Sequence, residues 1–277
     1  MTDRVATRTD LKQFGSLWPR LGHWLALAAP GVFLLCFWQY ASGRLIRETY
    51  ISKPSEIGKR LFELFVTGEI WPNLAVTGKE LVLSYVIGVT AGVLVGYWLG
   101  RSPRVAAIIE PYVMALYGVP KIALAPLFVI WFGIGIWSKV VLAGTMVFFL
   151  VFYNVYAGVR SVDREIVNLA RVMGANERQL GRQIYLPAAA PHLLLGMRMA
   201  IPYAVIGVIV GEFTASISGL GLFINYASST YDPAGVFAGI FILLAIVTIL
   251  NAAATRIERR LLRWRPQENS APPVDGN

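Results

Sequence analysis

The sequence predicts an all-α integral membrane protein of six transmembrane helices, with a long cytoplasmic loop between the fourth and fifth spans. Three observations carry that reading. Of 277 residues, 56% are hydrophobic and only 15% charged, where an ordinary soluble domain carries about 25% charged residues. Apolar stretches of roughly 18 residues or more recur along the chain, long enough to cross a bilayer as helices. Lys and Arg cluster between these stretches and not along one polar face, so the net charge of +9 marks membrane topology and argues against a nucleic-acid partner.

The spans are expected at about 24–41, 80–99, 105–132, 139–158, 193–214 and 235–254. Residues 1–23 form a cytoplasmic N-terminal segment. The apolar run from Trp24 to Ala41 is longer than a signal-peptide core and reads as a retained first span. It contains Cys36, the sole cysteine, which excludes an intrachain disulfide and suits a buried, inert thiol. In the first loop, Ser55 is expected to cap a short helix at the outer interface, with Ile57, Leu61, Leu64 and Phe65 on one face.

Within the second span, Gly88, Gly92, Gly96 and Gly100 recur every four residues, a close helix-packing face. The third span holds Lys121 between Pro120 and Pro126. An ammonium at membrane depth is costly and faces protein or a water-filled path. Lys121 therefore lines a translocation path, snorkels to an interface, or pairs with Glu110 or Glu212. Glu212, near the outer end of the fifth span and followed by Gly219-Leu220-Gly221, suits an outer gate, a partner contact or a structural turn.

Basic residues set the orientation. Arg4, Arg8, Lys12 and Arg20 precede the first span, Arg101 and Arg104 flank the second loop, and Arg160, Arg164, Arg171, Arg178 and Arg182 fill the fourth. Arg256, Arg259, Arg260, Arg263 and Arg265 follow the last span, while the loop expected at 215–234 has no Lys or Arg. Both termini are thus expected in the cytoplasm. The first loop dissents with several basic residues, but it is long and mixes in four glutamates. The transmembrane domain is bounded at 24–258, and 259–277 forms a basic cytoplasmic end with a disordered tail.

The fourth loop, about 159–192, has its own helical grammar. Asp163 caps a helix with Glu165 in its first turn. Ile166, Leu169, Ala170 and Met173 form an apolar stripe, and Arg164, Asn168, Arg171 and Ala175 line the other side. Gly174 stands where a helix end wants a left-handed residue or where another backbone approaches. Asn176 and Gln179 form a capping box for a second short helix, and Pro187 predicts a bend at Leu186 before the fifth span.

With these residues in place, the chain resembles binding-protein-dependent ABC transporter permeases, whose pattern E-A-A-x3-G-x9-I-x-L-P lies in this same loop. Here it reads Asn168-Leu169-Ala170, Gly174, then Ile184-x-Leu186-Pro187, with every spacing kept and the first two positions altered. Glu165 lies one turn earlier on roughly the same face. Val119 to Leu127, Trp131-Phe132-Gly133-Ile134-Gly135, Ser138-Lys139, Arg160-Ser161-Val162-Asp163, Glu212, Gly219-Leu220-Gly221 and Glu258 to Trp264 are similar to the branch that imports nitrate, sulfonates and taurine.

The resemblance implies a permease for a small anionic solute, working in the cell inner membrane as a homodimer amid lipid. It implies two copies of a cytoplasmic ABC ATPase and an extracytoplasmic substrate-binding protein. Coupling to the ATPase would fall to Glu165, Asn168, Leu169, Ala170, Arg171, Gly174, Ala175, Ile184, Leu186 and Pro187. No cofactor is expected in this chain, since nothing matches the phosphate-cradling G-x4-G-K-S/T loop and ATP would be bound by the partner. An ATP-independent secondary transporter or channel is the competing class. A membrane enzyme lacks support: no nucleophile stands beside a base, and His23 and His192 are too sparse for a metal site.

Overall fold

A computed structural model describes residues 18–262, and side chains from residue 29 onward. The basic residues expected at Arg4, Arg8, Lys12, Arg263 and Arg265, and the tail from Pro266, lie outside the described residues. The described chain is helical, and its only β pairing is an isolated bridge between Ser42 and Ile46.

Helices α1 (Trp18–Ala41), α2 (Pro54–Val66) and α3 (Ile70–Gly100) come first. Next are α4 (Pro103–Gly118), a 3-10 turn at Lys121–Leu124, α5 (Ala125–Phe132) and α6 (Ile136–Arg160). The loop carries α7 (Arg164–Val172) and α8 (Glu177–Gln179), followed by α9 (Leu186–Thr214), α10 (Leu220–Ser229) and α11 (Pro233–Leu261). Among the described residues, four helices are long and apolar enough to cross a membrane: α3, α6, the continuous helix Glu177–Thr214, and α11. The pair α4 and Lys121–Phe132 counts as a fifth if its 79° bend lies within one span. Ala29–Ala41 of α1 is a shorter apolar helix, so all six expected positions fall on helices while the number of full crossings rests on α1 and the bent pair.

Helix α6 is the spine, packed between α3 on one side and α9 on the other. The glycine row of α3 sets the first contact. A methyl at Gly92 would stand 2.8 Å from the Phe148 carbonyl oxygen, and one at Gly96 2.8 Å from that of Phe152. No side chain fits there, so the two backbones touch along four turns, which is how helices associate where water supplies no drive. The other face repeats the device: Gly196 lies against Asn154, Gly207 against Ala143, and Gly158 of α6 against His192. Val147, Val151, Val155, Ala200, Ala204 and Val208 fill the seam and are buried.

Four local expectations are corrected. Cys36, expected as a buried thiol, is exposed on α1 among the described residues. Helix α2 starts one residue earlier than Ser55, with Pro54 in its first turn after Lys53, because the fixed proline φ suits that position. Ser55 instead exchanges two hydrogen bonds with Gln39 of α1, at 3.1 and 3.2 Å. The bend expected before Pro187 is absent: residues Leu180–Tyr185 take the wider π geometry and carry the helix through. Widening the turn accommodates the missing proline donor without breaking the axis. Finally, 215–234 is not a plain loop, since it holds α10, whose Leu220, Phe223, Ile224 and Ala227 are buried in contact with α9 and α11. At ten residues it is too short to register as a span.

Candidate functional site

The loop between α6 and α9 is built by local capping. Asp163 accepts the Glu165 amide at 2.8 Å and opens α7. The helix ends at Gly174, with φ +90°, where the Ala175 amide bonds the Ala170 carbonyl and the Gly174 amide that of Arg171, both at 2.9 Å. This is the Schellman pattern, and it asks for a residue without a Cβ. Among the described residues nothing lies within 4 Å of a methyl placed at Gly174, so the left-handed conformation explains the glycine. Asn176 and Gln179 exchange the expected pair of bonds at 2.8 and 2.9 Å.

Helix α7 presents two faces. Val167 is buried, and Arg164, Asn168 and Arg171 turn with it toward the ends of α3 and α6. Ile166, Leu169, Val172 and Met173 are exposed, Val172 at 86%, leaving an apolar stripe without a partner among the described residues. Of the motif residues, Glu165 and Leu186 are also exposed, while Ala170, Ala175, Ile184 and Pro187 are half-buried. Arg171 and Arg101 pair with the two oxygens of Glu177, at 2.9 and 3.0 Å. Tyr97 donates to the Gly181 carbonyl at 3.0 Å. These bonds fasten the start of the Glu177–Thr214 helix to the end of α3.

Lys121 opens the 3-10 turn inside the bent span. Its ammonium bonds the Tyr117 carbonyl and lies 4.6 Å from the Tyr117 ring centroid and 4.5 Å from that of Phe149. It pairs with neither carboxylate proposed for it. Glu110 accepts the Tyr156 hydroxyl at 3.0 Å, and Glu212 is engaged elsewhere. Aromatic faces attract an ammonium, so the two rings hold it in place.

Glu212 belongs to a buried polar knot. Its carboxylate accepts from Thr77 at 2.6 Å and from the Gly221 amide. Thr77 then accepts the Leu220 amide at 2.8 Å, and Asn73 the Gly219 amide at 3.0 Å. Three amides at the start of α10 are thereby satisfied by α3 and α9, and the carboxylate suits the positive end of that helix. Gly219, at φ +124°, lies so close to the Glu212 carboxylate that a methyl would collide with it. Beside the knot, Lys139 of α6 pairs with Glu80 of α3 at 3.3 Å, both almost fully buried, and the Glu80 and Glu212 carboxyls are within interaction range.

The Lys139–Glu80 pair escaped the sequence reading, which placed both residues at span ends. Opposite charges inside two apolar stretches were the available signal. The structure therefore separates the predicted residues into three places: the α7–α8 loop, the Lys121 bend and the Glu212 knot. Among the described residues, no three His, Cys, Asp or Glu side chains gather as metal ligands.

Comparison with known proteins adds the following. Residues 88–263 match the family model described as "binding-protein-dependent transport system inner membrane component". A formylaminopyrimidine transport permease of Halalkalibacterium halodurans is 37% identical over 86% of this chain and 94% of its own. A putative aliphatic sulfonates transport permease of Bacillus subtilis is 32% identical, covering 89% of both chains. The taurine transport system permease of Escherichia coli is 30% identical over 87% of this chain and 89% of its own. Among solved structures, an inward-facing MetNI methionine ABC transporter chain superposes with a TM-score of 0.57 at 21% identity, over 72% of this chain and 97% of that one. That likeness speaks to the fold.

Proposed function

Because the chain belongs to the binding-protein-dependent inner-membrane components of ABC importers, and is a multi-pass permease subunit and not an enzyme, we propose that it imports a small sulfonate-type anion. The exposed apolar stripe of α7 carries the coupling part of this proposal: a nine-residue helix showing Ile166, Leu169, Val172 and Met173 to solvent has the character of a helix laid into a groove of a partner. That partner is a cytoplasmic ATPase subunit, which holds the ATP. Two permease copies and two ATPases form the working unit, fed by an extracytoplasmic binding protein. The α7 end of the bundle and both termini then face the cytoplasm, consistent with the Lys and Arg distribution.

ATP binding draws the ATPases together, α7 moves with them, and the unbroken Glu177–Thr214 helix carries the movement into the membrane. Lys121 supplies positive potential at the bend of the translocation path. The sulfonate and taurine permeases among the relatives favour an anionic solute. The 37% identical relative, named for formylaminopyrimidine transport, favours a heterocyclic solute as the second reading.

Uptake by proteoliposomes containing permease, ATPase and binding protein separates the two. ATP-dependent accumulation of taurine or an alkanesulfonate, reduced in Lys121→Met and kept in Lys121→Arg, is expected; accumulation of formylaminopyrimidine alone supports the second reading. For coupling, Leu169→Glu and Gly174→Asp leave the protein in the membrane but abolish co-purification of the ATPase. Normal co-purification of both variants would remove α7 as the docking element.

A further inference from the structure

Four arginines from three helices, Arg101 at the end of α3, Arg160 at the end of α6, and Arg164 and Arg171 on α7, line one polar cavity of about 440 Å³. Among the described residues no Asp or Glu lines it, and Asn168 and Tyr185 complete its polar wall. Arg101 is held in place by the Tyr97 and Tyr185 rings, at 5.5 and 5.4 Å, and by the carbonyl and carboxylate of Glu177. Arg171 takes the other oxygen of that carboxylate. Arg160 lies over the Tyr156 ring at 5.5 Å, and neither it nor Arg164 has an acidic partner among the described residues.

One carboxylate thus serves two of the four guanidinium groups, and the other two have none among the described residues. The carbonyl ends of α3 and α6 favour cations nearby, which anchors Arg101 and Arg160 without neutralising the set. Like charges gathered round one cavity repel unless an anion enters. Guanidinium groups match phosphate oxygens in forked pairs. The cavity also sits where two apolar spans end, the level of lipid headgroups, where basic pockets between helices take phosphate groups.

We propose that this cavity binds a phosphate-type oxyanion, presented by an anionic phospholipid or by a soluble phosphate, bridging α7 to the ends of α3 and α6. The exposed stripe of α7 lies on the opposite face, so an anion here leaves the docking surface free. It would hold α7 at a fixed angle to the spans.

The test uses the full-length chain, delipidated in detergent and examined by native mass spectrometry with phosphatidylglycerol or phosphatidylcholine, and by thermal shift with inorganic phosphate. The wild type is expected to prefer phosphatidylglycerol or to be protected by phosphate. Arg160→Gln/Arg164→Gln weakens that binding about tenfold or more, whereas Arg104→Gln, an exposed arginine outside the cavity, leaves it intact. Lipid preference without phosphate protection identifies the phospholipid as the source; phosphate protection without lipid preference identifies the soluble ion.

Arg160→Lys/Arg164→Lys keeps the charge but loses the fork, and several-fold weaker binding is expected from it even if the Gln pair proves unstable. Wild-type binding in the Lys pair, or equal loss in Arg104→Gln, overturns the proposal. Co-purification of the ATPase, lost in Leu169→Glu but kept in these arginine variants, separates failure of this site from failure of docking.

Discussion

Single residues set the most exacting constraints, and the Lys139–Glu80 pair is the clearest. Both side chains are almost fully buried between α3 and α6, and the second Glu80 oxygen has no hydrogen-bond partner among the described residues. Removing one member leaves the other charge unpaired in a low-dielectric setting, at a cost of about 3–5 kcal/mol. Lys139→Met should therefore lower the thermal unfolding midpoint in detergent sharply, and Lys139→Met/Glu80→Gln should recover much of the loss. Equal midpoints for the single and double variants would show that the pair is not a unit. Gly174 was legible from its sequence position alone, because a helix C-terminus that closes by the Schellman pattern requires a positive φ. Gly219 was legible only as part of a turn; its dependence on Glu212 comes from a contact seven positions away that local pattern does not encode.

At the level of elements, the continuity of Glu177–Thr214 matters most. The sequence reading expected a bend before Pro187 because proline removes a donor, and it missed the remedy: a wider turn over Leu180–Tyr185 that keeps the axis intact. Inserting two glycines after Tyr185 should interrupt this rod. The expected result is normal ATPase co-purification with loss of solute uptake; wild-type uptake would show that the rod does not carry the coupling. The capping residues Asp163, Asn176 and Gln179 and the glycine row of α3 were readable because their signals are local and periodic. The bend between α4 and α5 was hinted at by Pro120 and Pro126, but its 79° angle depends on packing against α6. Helix α10 was invisible as a helix, since its amphipathic run of ten residues resembles a loop until α9 and α11 cover it.

For the whole molecule, composition was enough to predict a helical membrane bundle, and the fourth loop to predict its family. The arrangement of α3, α6 and α9 was not predictable, because nearly every span is apolar on all sides and carries no moment to say which face meets which neighbour. Orientation is open to direct measurement. In a Cys36→Ser background, Ile217→Cys, in a strongly exposed position, should react with a membrane-impermeant thiol reagent from outside intact cells. Ser161→Cys should react only after the membrane is opened. The reverse pattern would invert the topology. The buried pair also bears on how the chain enters the bilayer during synthesis. Glu80 leaves the ribosome before Lys139, so α3 alone would meet the bilayer with a bare carboxylate, which is costly in the hydrocarbon region. The insertion machinery has reason to retain α3 at its lateral opening until α6 follows, and to release the two as a neutralised pair.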